Sequence, residues 1–231
     1  MQLYKIAGAT LLALSLAACD NTSQTQNGEY SADAVPEGMT VQEKKARFRQ
    51  LLTPAVNKVY AQLTDRYEKV SATLSDGQEH PELDALKVEY RAKTNQQLLQ
   101  ALKPHPKSIV MAQAAMESAW ATSRFFREAN NVFGVWSFDK DEPRIAAGEQ
   151  RGDKTIWIKK YDSIEDSVRD NYRVLARSAA FVGFRELRMT SEDPHELVKQ
   201  LDRYSELGAK YGEELSSVIR FNKFTLIDQV Q

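Results

Sequence analysis

The chain has 231 residues, 42% of them hydrophobic, and a formal net charge of −1. That length supports one good core with a smaller accessory unit, and 10 glycines with 7 prolines exclude a fibrous or wholly disordered protein. The near-neutral balance gives no reason to expect nucleic acid as a partner.

The first residues carry an address. Lys5 precedes an apolar run over residues 6–18, which ends in Leu16-Ala17-Ala18-Cys19. A charged start, a short apolar core and small residues before a processing point predict a secretory signal over 1–18, too short to span a bilayer. The Leu-Ala-Ala-Cys ending resembles a bacterial lipobox. That resemblance implies that Cys19, the only cysteine, becomes a lipidated N-terminus and anchors the chain to a membrane in the cell envelope, on the periplasmic side. Asp20 resembles the inner-membrane retention signal of enterobacterial lipoproteins, if the source is one of them. A lone cysteine makes no internal disulfide, which suits an exported chain whose cysteine is an anchor.

Residues 19–39 are rich in Asn, Gln, Ser and Thr and predict a disordered tether, with an end-to-end distance on the order of 25 Å. Thr40-Val41-Gln42-Glu43 is a capping box. Phe48, Leu51, Leu52, Val56, Val59, Tyr60, Leu63, Tyr67 and Val70 then mark one face of a long helix, which Pro54 should kink or split. A second helix is expected over 81–102, and Lys103-Pro104-His105-Pro106 forms a boundary. Residues 40–103 read either as an accessory helical layer or as an arm that binds a protein partner.

From residue 109 the apolar positions Ile109, Ala112, Met116, Ala119 and Trp120 follow helical spacing, with Pro106 suited to the helix start. The alanines at 112, 114, 115, 119 and 121 let neighbours approach closely, so this helix is expected at the centre. It should run to Asn130-Asn131 and give way to Val132-Phe133-Gly134-Val135-Trp136. On it, Glu117 shares a side with Gln113, Ala114, Trp120 and Ala121. Partial desolvation against Trp120 would raise its pKa and keep it protonated, as a general acid requires. Residues 138–149 are polar and turn-rich, and residues 154–161 alternate as a strand, with Gly148 and Gly152 near a hairpin turn. Asp162 should cap a helix through Ile164, Val168, Tyr172, Leu175 and Ala176. A loop over 180–184, a helix from Pro194 and a last helix with Leu215, Val218, Ile219 and Phe221 complete a mainly helical chain.

AQAAMESAWATS followed by NNVFGVW resembles the signature of the bacterial peptidoglycan N-acetylglucosaminidases, and within them the Bax-like branch. The resemblance covers roughly residues 104–231. It implies a mainly α, α+β lysozyme-like catalytic domain over 104–231 with one small hairpin, and a glycoside hydrolase with Glu117 as general acid. Ala121 stands where the family has Gly, a change that a helix would tolerate. The resemblance also implies that a hairpin Glu, here Glu149, is the second carboxylate. Tyr204-Ser205-Glu206 with Tyr211 is similar to a YATD-type motif, so that Tyr204 would meet the N-acetyl group or the reacting water. Asn131, Phe133, Trp136 and Trp120 are the candidate substrate-binding residues, the aromatics offering apolar faces to sugar rings.

No cofactor is expected. The three histidines, His80, His105 and His195, each adjoin a proline and suggest no metal-ligand spacing. The expected partner is the peptidoglycan glycan strand. The open alternatives are a lytic transglycosylase, which needs one Glu, and a glycan-binding scaffold that kept the fold without hydrolysis.

Overall fold

Thr40 starts the first helix by a reciprocal cap. Its hydroxyl accepts from the Glu43 N–H at 3.3 Å, and the Glu43 carboxylate accepts from the Thr40 N–H at 2.8 Å. The helix, α1 (Val41–Ser75), continues through Pro54 undivided. Phe48, Leu52, Val56 and Val59, on either side of the proline, are fully buried. At about 1.5–3 kcal/mol each, their burial outweighs the roughly 3 kcal/mol that an internal proline costs.

The structure, a computed structural model, describes residues 30–77, 81–151 and 154–229. The signal segment, Cys19, Asp20, the first part of the tether, His80, Gly152 and Asp153 lie outside the described residues.

Where one helix was expected over 81–102 there are two, α2 (Pro81–Tyr90) and α3 (Asn95–Leu102). Arg91 takes a left-handed φ of 55°, and Thr94 caps α3 by accepting from the Gln97 N–H at 3.1 Å. The break falls in a run with no Gly or Pro, so composition does not reveal it.

Helix α4 (Lys107–Glu117) has Pro106 at its N-cap, and residues 107–115 are all buried. Its small side chains let it sit centrally, against α1 and two later helices, α9 (Ala209–Phe221) and α10 (Thr225–Asp228). It does not run on to Asn130. It stops at Glu117, and α5 (Arg124–Ala129) follows after a turn. Ala119, Trp120 and Ala121 have φ of 50°, 63° and 60°, three consecutive left-handed residues. Asn130 ends α5 in the left-handed region, as a C-cap.

The reading of Ala121 changes accordingly. It lies in a left-handed turn, where the family's glycine would be unstrained, and not in a helix where alanine is favoured. Ala119 is the cleaner test, being exposed at φ 50°. Ala119→Gly should raise thermal stability by about 0.5–1 kcal/mol, because strain relief outweighs the added freedom of the unfolded chain. A drop in melting temperature would contradict this account of the turn.

The segment expected as turn-rich supplies a strand. β1 (Arg144–Arg151) pairs antiparallel with β2 (Lys154–Lys159), with Ile145 opposite Ile158 and Ala146 opposite Trp157. Register shifts between Ala146 and Gln150, where Gly148 adopts φ 88°. Trp136 bridges Ile158, and Ser137 N–H donates to the Trp157 carbonyl at 2.8 Å, so the aromatic-glycine turn extends the hairpin by one edge.

Ser163, not Asp162, caps α6 (Ile164–Arg177), accepting from the Asp166 N–H at 3.1 Å. The expected loop at 180–184 is a 3₁₀ turn over Ala179–Phe181 and a helix, α7 (Val182–Leu187). α8 (Pro194–Leu197), capped by Asp193, precedes α9 and α10. The main core joins Phe48, Leu52 and Val56 of α1 to Ile109 and Met111 of α4, Val168 and Leu175 of α6, and Leu215 and Ile219 of α9. A smaller cluster gathers Val70, Leu83, Tyr90, Leu98 and Leu102. Among the described residues the chain is thus mainly helical with one small antiparallel hairpin.

Candidate active site

Glu117 is the last residue of α4, and Ser118 makes it so. The Ser118 hydroxyl donates to the Ala114 carbonyl and accepts from the Ala121 N–H at 2.8 Å. Ser118 is fully buried, and its single side chain both stops the helix and closes the left-handed turn. From α1, Arg47 adds a hydrogen bond to the Ala121 carbonyl at 2.7 Å. Glu117 therefore leaves the helix at a rigid corner, open to solvent along one edge.

Behind it lies a chain of hydrogen bonds, buried at its centre. Tyr211 Oη donates to Glu117 Oε1 at 3.0 Å, and Gln113 Nε2 donates to Tyr211 Oη at 3.4 Å. Asn171 Nδ2 donates to Gln113 Oε1 at 3.1 Å, and Tyr204 Oη donates to Asn171 Oδ1 at 3.2 Å. The Tyr204 and Tyr211 rings stack at 5.0 Å and 11°. One choice sets every direction in this chain. Glu117 Oε1 accepts in the carboxylate and, with the proton on Oε2, in the acid as well, so Tyr211 donates to it. Tyr211 Oη then accepts from the Gln113 amide, which turns the Gln113 oxygen toward Asn171, and so on back to Tyr204.

Three helices and the loop before α9, which carries Tyr204, supply this chain. Gln113 is one turn before Glu117 on α4, Asn171 is on the buried face of α6, and Tyr211 is in the first turn of α9. Gly212 allows α9 close enough, because a Cβ at that position would stand 2.5 Å from the Val198 carbonyl oxygen. Burial raises the Glu117 pKa, and the Tyr211 hydrogen bond opposes the rise. Burial, reinforced by the neighbouring groups, also holds both tyrosine hydroxyls protonated far above neutral pH. Both stay hydroxyls with a proton to donate, and Tyr211 Oη accepts from Gln113 as well.

Trp120 does not cover Glu117. Its ring packs at 5.1 Å on Phe48 and 6.3 Å from Phe224, with Lys45 above it. Asn131 is spent on structure: its amide donates to the carbonyls of Val135 at 3.0 Å and Lys159 at 2.7 Å and accepts from the Val135 N–H. Phe133 is buried in the core. Trp136 keeps 42% of its surface exposed beside Phe138 at 87%, ring centroids 6.2 Å apart, and these two form an aromatic shelf by the hairpin. Of the four candidate substrate-binding residues, Trp136 is the one with a large exposed surface. Glu149 lies in β1, and its side chain is outside what the structure describes. Among the other acids near the hairpin, Asp139 accepts from the Asp141 N–H and Glu142 pairs with Lys159 at 3.6 Å. Asp170, on α6, accepts from Tyr161 Oη at 2.7 Å. Among the described residues no cluster of His, Cys, Asp and Glu could hold a metal ion.

The sequence motifs pointed to Tyr204, and its hydroxyl is given to Asn171. Tyr211 is the tyrosine that reaches the acid. Gln113 and Asn171 did carry a signal, since each is a primary amide inside an otherwise apolar helical stripe.

Residues 92–224 match the glucosaminidase family, described as mannosyl-glycoprotein endo-beta-N-acetylglucosaminidase. The chain belongs to this family. The family is the one that its AQAAMESAW and NNVFGVW motifs resemble. Over 132 residues it is 27% identical to Protein bax of Escherichia coli (strain K12), a match that covers 54% of this chain and about half, 46%, of that protein. Among solved structures it is similar to the catalytic domain of the autolysin Auto from Listeria monocytogenes, at 18% identity over 84% of this chain and 90% of that one, TM-score 0.48. It is also similar to a C-terminally truncated glycoside hydrolase domain of FlgJ from Salmonella typhimurium, at 22% identity over 61% and 95%, TM-score 0.42.

Proposed function

We propose that the chain is a peptidoglycan hydrolase that cleaves the β-1,4 bond between N-acetylglucosamine and N-acetylmuramic acid, with Glu117 as general acid. The observation that carries this reading is the pairing of Glu117 with Tyr211 at the end of α4, in a chain of the glucosaminidase family. Burial raises the pKa of this carboxyl, which favours the protonated acid that a leaving-group oxygen requires. As the proton departs the carboxyl becomes an anion, and the hydrogen bond from Tyr211 strengthens at that moment. Tyr204, Asn171 and Gln113 act through Tyr211 as positioning residues. Glu149 on β1 is the second carboxylate in this scheme, and Trp136 with Phe138 offers a sugar-stacking face. The export signal and lipobox support a cell-envelope enzyme tethered through Cys19 to a membrane, the inner one if Asp20 acts as a retention signal. Residues 40–103 form the accessory layer of the 104–231 catalytic domain.

Digestion of purified peptidoglycan, with products read by mass spectrometry, tests the bond. New reducing N-acetylglucosamine ends are expected. Reducing N-acetylmuramic acid ends would assign the other glycosidic bond, and 1,6-anhydro ends would make the chain a lytic transglycosylase. Retained glycan binding without cleavage would leave a scaffold.

A further inference from the structure

A cavity of about 140 Å³ lies away from the Glu117 network, between α1, α2, α3 and α6. Its walls carry Arg66, Lys103, Arg169, Arg173 and Arg188 against one carboxylate, Glu89. Arg66 is the cation that Glu89 neutralises, at 3.4 Å, and Lys103 reaches outward to Glu192 at 3.7 Å. Arg169 donates to Gln62. Arg173 is exposed at the rim and makes no hydrogen bond or ion pair among the described residues.

Arg188 is the unusual member. It is 2% exposed, it donates to the Gln100 carbonyl, and it lies over the Phe184 ring. Its Nε is buried with no acceptor, and no carboxylate of the described residues is within ion-pair distance. Burial pushes its pKa down to about 9, so it is still a cation at neutral pH. A second cavity on the far side of Arg188 contains Glu68, Glu192 and Asp228, none of them paired with it. A buried guanidinium that no protein anion balances is costly, and an oxyanion from solution would supply both the missing charge and the missing acceptors. Leu63, Leu102 and Pro104 leave room for a small apolar body beside the charged group.

We propose that this cavity binds a small oxyanion, a phosphate or a carboxylate, held by Arg188 on its buried wall and Arg173 at its rim. The proposal is independent of the hydrolytic reading, because its readout is binding alone. Two probes separate the sources: inorganic phosphate, and the peptide carboxylate N-acetyl-D-alanyl-D-alanine. Each is titrated at fixed ionic strength against the full chain, with potassium chloride as control. A saturable rise in melting temperature with either probe is expected, and the probe that gives it identifies the source. Arg173→Ala, at an exposed site that leaves the core intact, should weaken the apparent affinity several-fold. Arg188→Met should weaken it about tenfold or more. If Arg188→Met does not fold, the Nε–H resonance of Arg188 in the wild-type chain, assigned with Arg188→Lys, must shift on titration. No saturable effect from either probe, an equal effect in the Arg173→Ala chain, or a stationary Arg188 resonance would overturn the site.

Discussion

Glu117→Gln should reduce peptidoglycan cleavage by about 10²–10⁴-fold while raising the stability of the folded chain at neutral pH. Glutamine keeps the shape and still accepts the hydrogen bond from Tyr211, but it has no proton to give. The stability gain follows from linkage. The folded pKa of Glu117 is raised, first by burial, above the ordinary value of 4.5. Between that value and its folded pKa the folded chain holds a proton that the unfolded chain has released, so wild-type stability falls as pH rises through the window. Below pH 4.5 both states are protonated and the two proteins should converge. Thermal melts of wild type and Glu117→Gln from pH 4 to 8 read this directly. A variant that is equally active, or less stable than wild type at pH 7, would remove Glu117 from the role.

Tyr211→Phe should lower kcat and move the alkaline limb of the pH–activity profile to higher pH. The hydrogen bond that Tyr211 donates favours the ionised carboxyl. Without it Glu117 keeps its proton to higher pH but loses the donor that stabilises the carboxylate once the proton has moved. Gln113→Met should leave the limb nearly in place. It frees Tyr211 Oη from the Gln113 donor but leaves the bond to Glu117 in place. Its main cost is to stability, about 1–3 kcal/mol, because it strands the buried Asn171 amide. A shift with Tyr211→Phe and little or none with Gln113→Met separates a group that touches the acid from one that positions it. A profile unmoved by Tyr211→Phe would mean that the 3.0 Å contact does not tune Glu117.

The long elements were legible from periodicity alone. The apolar face of α1, the buried run of α4 and the amphipathic face of α6 repeat at helical spacing, and Thr40-Val41-Gln42-Glu43 announced the first cap. The breaks were not legible, for physical reasons. Arg91 and the 119–121 turn take left-handed conformations without glycine, so tertiary contacts and not local propensity hold them. Trp120 faced Glu117 only on the assumption of a continuous helix. With the helix ended at Glu117, its ring turns to Phe48 and Phe224. Strand β1 was hidden because Ile145-Ala146-Ala147-Gly148 lacks the alternation that marks a strand. At the site the acid was readable from its motif, but its real neighbour was not. Tyr211 is 94 positions away and reaches Glu117 only because Gly212 lets α9 close on the 198 backbone.

Where α4 stops has an electrostatic consequence. Aligned peptide dipoles leave a helix partly negative at its C-terminus, and the field decays within the last turn. Glu117 occupies that turn because Ser118 and the three left-handed residues end the helix there. A helix continuing to Asn130 would have placed the same side chain in mid-helix, where the dipole field is weak. The corner therefore puts the acid at the pole that disfavours its anion, adding to burial in keeping the proton on. Substitutions that let residues 119–121 wind into the right-handed helix would carry that pole past Glu117 and make it a weaker holder of its proton, with no catalytic side chain changed.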